Sequence, residues 1–227
     1  MLKLELFACL TGMLAATLSG DQILTRAGTS SGLSSYSVPV HFDVHMHRPI
    51  GIKSGVDGIA YFKAPGKAAI AITHVPGPLG GFFKGAYTLD MVPQTWPMKY
   101  TVTSVSQDAT GSYVLTASPK NDQSVDHVVF TVGTDYQPLS AHWFYKDGSS
   151  IALSLQNQQI GGYTLPQSET ISVSMPKYAL DATAKYGDYS INSPVPDSVF
   201  AFSEAIDSSI ASAQRTTAGR SVGRTKR

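Results

Sequence analysis

The sequence predicts a mostly antiparallel β protein built around one large apolar interior. Three observations lead there. Tyr36 to His47 alternates in character along its whole length, with Tyr36, Val38, Val40, Phe42, Val44 and Met46 on one face and Ser37, Pro39, His41, Asp43, His45 and His47 on the other. Further short β-type runs follow, separated by turn signals. The 227 residues are 42% apolar and only 15% charged, with no linker in the middle, which suits a single barrel or sandwich with a sizeable core. A strand with one apolar and one polar face needs a core on one side and water on the other. The sheet is therefore expected to be antiparallel rather than doubly wound.

The elements follow in chain order. Residues 1–20 read as an export signal: Lys3 supplies a short positive region and Leu6 to Leu18 an apolar stretch, with Ser19 and Gly20 before Asp21. A buried N-terminal helix is the alternative. Cys9, the sole cysteine, lies inside this segment, so cleavage would leave a mature chain without thiol chemistry. Asp21 to Leu33 is a short helix candidate with Ile23, Leu24 and Ala27 as its stripe, weakened by Gly28 and Gly32. In the long alternating strand, Pro39 lacks a ladder donor and favours an edge or a bulge. Val56 to Ala64 leads through Pro65-Gly66 into Ala68 to Val75 as a hairpin-like pair. Lys99 to Ser106, Ser112 to Ser118, Asp126 to Val132, Leu139 to Tyr145, Ser150 to Gln156 and Thr170 to Met175 complete the strands.

The Lys146-Asp147-Gly148 turn fixes a register. A three-residue loop with Gly148 left-handed pairs Trp143 with Ile151, Ala141 with Leu153 and Leu139 with Leu155. This choice gathers apolar residues on one face and leaves His142, Phe144 and Lys146 opposite, as burial requires.

Pro76 to Pro97 breaks the pattern, with four prolines, four glycines and the aromatics Phe82, Phe83, Tyr87 and Trp96. Such a loop suits either a lid over a cavity or aromatics packed on the core. After an extended turn from Asn192 to Phe200, Ser203 can cap a helix bearing Ile206 and Ile210, over 203–214. Residues 215–227 carry five basic side chains and no acid, leaving twelve basic and sixteen acidic groups elsewhere. The body thus has no surplus positive charge for phosphates, and the tail reads as a disordered basic extension.

Few motifs carry chemistry. His41, Asp43, His45 and His47 share a strand face and can hold zinc or copper if another element supplies a ligand; the plainer reading is the wet face of an amphipathic strand. Gly28-Thr29-Ser30-Ser31-Gly32 matches G-x-S-x-G, but with a helix before and a strand after, the reverse of a nucleophile elbow. Gly80, Gly81 and Gly85 have no following Gly-Lys-Ser/Thr and make no phosphate loop.

The order of parts resembles the LolA-like periplasmic lipoprotein carrier and outer-membrane lipoprotein-sorting superfamily, as a divergent member. The resemblance runs from about Asp21 to Phe202. It rests on the strand opening Leu33-Ser34-Ser35-Tyr36, the segment from Gly58 to Lys67 with an aromatic-basic pair before a proline, Ile160-Gly161-Gly162-Tyr163-Thr164-Leu165-Pro166, and Val195-Pro196-Asp197-Ser198-Val199-Phe200. The Pro/Gly-rich loop and the basic tail depart from the simplest pattern. The resemblance implies a mainly β fold of LolA/LolB type, an unclosed, curved antiparallel barrel with a helical lid, as a single lipid-binding domain over 21–202. It implies a noncatalytic, cofactor-free protein of the periplasm that binds lipid or lipoprotein acyl chains and exchanges them with membrane-protein donors or acceptors, without nucleic acid. The cavity candidates are Val40, Phe42, Val44, Met46, Trp143, Ile151, Leu153 and Leu155, which would otherwise form a filled core. Phe82, Phe83, Tyr87 and Trp96 are the lid candidates. An envelope interaction or sensor domain of the same fold is the alternative. An enzyme would require His41, His45 or His47 to converge with an acid from another strand.

Overall fold

The alternating segment forms β1, Ser35–Arg48, and its six apolar side chains from Tyr36 to Met46 are all buried. The structure is a computed structural model that describes residues 18–29, 32–74, 86–87 and 92–201. Residues 1–17 of the export segment, with Cys9, the aromatics Phe82 and Phe83, the 203–214 helix and the basic tail lie outside the described residues.

After β1 come β2 (Ile52–Lys63), β3 (Lys67–His74) and the two-residue β4 (Ala86–Tyr87). A 3-10 turn, Pro93–Thr95, runs into α2 (Trp96–Lys99), and then β5 (Tyr100–Gln107), β6 (Tyr113–Pro119), β7 (Val125–Val132) and β8 (Pro138–Tyr145) meander. The chain finishes the sheet with β9 (Ser150–Ile160), β10 (Tyr163–Ser174), β11 (Ala179–Tyr186) and β12 (Ser190–Ile191). Every pairing is antiparallel, in the order β4-β3-β2-β1-β11-β10-β9-β8-β7-β6-β5, with β12 also on β1. The path starts at β4 and stops at β5 without closing. The unclosed antiparallel sheet expected from the resemblance is therefore present.

The Gly148 hairpin adopts the register that burial requires: Trp143 faces Ile151 and Ala141 faces Leu153. Gly148 has φ +83°, and its N–H donates to the Tyr145 carbonyl at 3.0 Å. Leu139, expected inward opposite Leu155, is instead 36% exposed. The β7–β8 register jumps from Thr131–Ser140 to Val132–Pro138, so Leu139 is the extra residue of a bulge and points outward while Pro138 is buried.

Three further expectations are corrected. Pro39 lies in an interior strand, because β1 is flanked on both sides. Its carbonyl accepts from Gly187 N–H at 2.9 Å, so its donorless nitrogen faces the gap between β11 and β12, where no ladder partner is forfeited. The strand at Thr170–Met175 is the end of the longer β10, which starts from a two-residue Gly161-Gly162 turn with both φ values positive, as a tight hairpin favours. The first helix, α1, spans Gly20–Gly28 rather than reaching Leu33.

A capping box starts α1, with Ser19 and Gln22 satisfying each other's backbone N–H. Its buried stripe is Ile23, Leu24 and Ala27, as the spacing predicts. Asp21 then accepts from Val102 N–H at 2.8 Å, tying α1 to the edge strand β5. Together α1 and α2 pack on the sheet's inner face as a plug.

Candidate functional site

The inward faces of β1, β8 and β9 carry the cavity candidates. Val40, Phe42, Val44 and Met46 on β1, Trp143 on β8, and Leu153 and Leu155 on β9 are buried, and Ile151 is half-buried against them. In this structure α1 and Trp96 fill the space above. Trp96 is 0% exposed, its ring 4.6 Å from Phe130 and 6.4 Å from Trp143, so it stands inside the interior rather than over its mouth. The other described lid candidate, Tyr87, is placed by its backbone opposite Ile70.

Open space lies beside this plug, in two cavities that share Pro93 and Pro166 as walls. The outer one, about 230 Å³, is rimmed by polar groups from several elements: Arg26 on α1, Gln94 of the 3-10 turn, Asp135 and Tyr136 after β7, Asn157 on β9 and Thr164 on β10. Arg26 is held over the Tyr136 ring at 4.9 Å. Gln94 Oε1 is buried without a hydrogen-bond partner among the described residues.

The inner cavity is only about 10 Å³, room for one water-sized group. It lies against Tyr36 on β1, Ala60 on β2, Ile70 on β3 and Tyr186 on β11, and it ends on Glu169 of β10. Glu169 is 3% exposed, and burial pushes its carboxyl up to about 8 although a hydrogen bond from Tyr186 pulls the other way. Its Oε2 has no partner among the described residues. Burial, then the charge of Glu169, raises the hydroxyls of Tyr36 and Tyr186, and burial, then Tyr36 and Glu169, raises that of Tyr189. Tyr189 donates to the Pro166 carbonyl at 2.8 Å and meets Tyr36 edge-on at 5.4 Å.

Sequence reasoning missed Glu169. The signal was present: it pairs with Leu155 and Ala184 and stands two residues before buried Ile171, on the inward parity. An acid at an inward position of an alternating strand is the anomaly to look for.

The histidine face divides into pairs. His41 Nδ1 lies 2.6 Å from Asp57 Oδ1 and Nε2 3.4 Å from Asp43 Oδ1, which raises its pKa, with the Asp57 hydrogen bond the largest cause. His47 Nε2 lies 2.7 Å from Asp181 Oδ2, and the His45 ring is 4.1 Å from that of His47. Cross-strand acids thus meet His41 and His47, but on an exposed face that neither cavity touches. Among the described residues no group of three or more His, Cys, Asp or Glu side chains is placed to hold a metal.

No protein-family model and no curated protein matches the sequence. Solved structures do. A LolA superfamily protein from Nitrosomonas europaea aligns with a TM-score of 0.57 at 13% identity, over 81% of this chain and 98% of its own. A proposed outer membrane lipoprotein-sorting protein domain from Vibrio parahaemolyticus gives 0.57 at 10% identity, over 80% and 95%. A DUF1329 family protein from Desulfovibrio piger gives 0.52 at 10% identity, over 80% and 95%. At these identities the likeness is one of fold. With its open antiparallel sheet wrapped on a short helical plug, the chain has the LolA-like fold.

Proposed function

We propose that this protein is a noncatalytic carrier or binder of lipid or lipoprotein acyl chains in the cell envelope. The observation that carries this reading is the continuous apolar inner face of an unclosed sheet, covered by a small plug rather than by a second sheet. Val40, Phe42, Val44, Met46, Trp143, Ile151, Leu153 and Leu155 line the path of the chain once α1 and Trp96 shift. The magnitudes permit that exchange. Burying one CH₂ is worth ~0.8 kcal/mol, so a sixteen-carbon chain gains roughly 12 kcal/mol at most. Exposing the Ile23 and Leu24 side chains costs about 1.5–3 kcal/mol each. The plug therefore lowers affinity without abolishing it, which suits a carrier that must release its cargo to a partner. The fold neighbours, one of them described as an outer membrane lipoprotein-sorting protein domain, support an envelope location.

Native mass spectrometry of the protein purified from its own envelope tests this reading. Recovery of protein with a stoichiometric acylated molecule is the expected result. Lipid-free protein, together with no uptake of palmitoyl lysophosphatidylcholine in vitro, contradicts it.

A further inference from the structure

We propose that Glu169 is the head-end anchor of the ligand, donating a hydrogen bond from its carboxyl to the ester or amide carbonyl oxygen that joins an acyl chain to its carrier. The inference rests on the acyl-binding reading above and adds a polar recognition element to it.

Geometry comes first. Glu169 ends a water-sized cavity whose other described walls are apolar or tyrosyl, and its Oε2 has no partner there. An isolated buried carboxylate is strongly disfavoured, so the acid is neutral over the lower pH range, consistent with the upward push from burial. Tyr186 donates to the carboxyl, since its hydrogen bond favours the ionised form. The acid's own proton is then left on an oxygen that lacks an acceptor. What completes the site is an acceptor oxygen, and the space admits one. An acyl ester or amide carries such an oxygen at the junction of its apolar chain and polar head. The cavities match that division: the small one has mostly apolar walls, and the 230 Å³ polar-rimmed one lies across Pro93 and Pro166, where a head group fits.

The charged and titratable surroundings support an acceptor rather than a cation or anion. Among the described residues, the titratable groups facing Glu169 are Tyr36 from β1, Tyr186 from β11 and Tyr189 just beyond it. The described walls from β2, β3 and Val92–Pro93 are apolar, and among the described residues no lysine or arginine faces the carboxyl.

The test compares two soluble probes that differ only at the linkage: 1-palmitoyl lysophosphatidylcholine, with an ester carbonyl, and its 1-O-hexadecyl ether, without one. Affinity of the full chain is measured at about pH 6 and about pH 9.5, either side of the Glu169 transition. The wild type is expected to prefer the ester about five- to tenfold at the lower pH, and to lose that preference at the higher. Glu169→Gln keeps a donor that does not titrate, so its preference persists at both pH values. Glu169→Leu binds the two probes alike. Equal affinity of wild-type protein for both probes at the lower pH overturns the anchor and leaves acyl binding standing. Failure of the wild type to bind either probe overturns both. The wild-type comparison needs no variant, so a folding defect in either substitution does not shield the proposal.

Discussion

The indole N–H of Trp143 donates to the Tyr100 hydroxyl at 2.8 Å, with both side chains buried. This bond joins β8 to the first residue of β5 beneath Trp96, and Phe130 stacks edge-on against the Tyr100 ring at 5.3 Å. The interior is therefore apolar in bulk but pinned here by a polar contact.

Removing the acceptor leaves a buried donor unsatisfied. Tyr100→Phe is expected to destabilise the protein by about 1–3 kcal/mol in urea unfolding. Adding Trp143→Phe to it is expected to cost less than the sum of the two single changes.

Glu169 makes stability depend on pH. Its folded-state pKa, about 8, lies above the ordinary carboxyl value of 4.5, so between these values the folded chain holds a proton that the unfolded chain has released. The Glu169 contribution to stability then falls as pH rises across that window and is level outside it. The difference between wild type and Glu169→Gln, followed by urea unfolding at several pH values, isolates this slope. A difference that stays constant across the window refutes the buried acid.

His41 shifts in the same direction for another reason. Asp57 holds its proton, so the pair's contribution is complete below about pH 6.5 and is lost as pH rises through the raised value. Because the pair is exposed, its effect on stability is small. NMR titration is expected to show Asp57→Asn lowering the His41 pKa, and an unchanged titration means that the ion pair does not form in solution.

Leu24 has no exposed surface and faces the sheet from the middle of α1. Leu24→Ala is expected to cost about 2–5 kcal/mol and to raise uptake of an apolar dye, because it loosens the plug where a chain would enter. Loss of stability without added dye binding would indicate that α1 is a fixed part of the core.

Much of this was legible in the sequence. The alternation of β1 showed its buried face residue by residue, and the Asp147-Gly148 turn showed the register of β8 on β9, because both signals are local and both rest on burial. Pro39 misled, since a donorless residue is tolerated wherever its neighbour is missing, and the break between β11 and β12 is set by chain segments far away in sequence. Leu139 misled because a bulge changes parity at one residue. Trp96, read either as a lid or as an aromatic packed on the core, is buried in the plug, since proline-rich composition marks irregular backbone without saying whether it covers or fills. Glu169 was missed because the strand was read only from Thr170 onward, one residue past it, although its inward parity was legible; only the fold brings Tyr36 and Tyr186 to it.

The most direct measurement places the acyl chain itself. A palmitoyl lysophosphatidylcholine with a photoreactive diazirine at the chain terminus, cross-linked to the protein and mapped by peptide mass spectrometry, reports which face it touches. Acyl binding in the interior requires adducts on inward residues such as Phe42, Trp143 and Leu153. Adducts confined to outward residues such as His41, His45 and Phe144, or none at all, would contradict it.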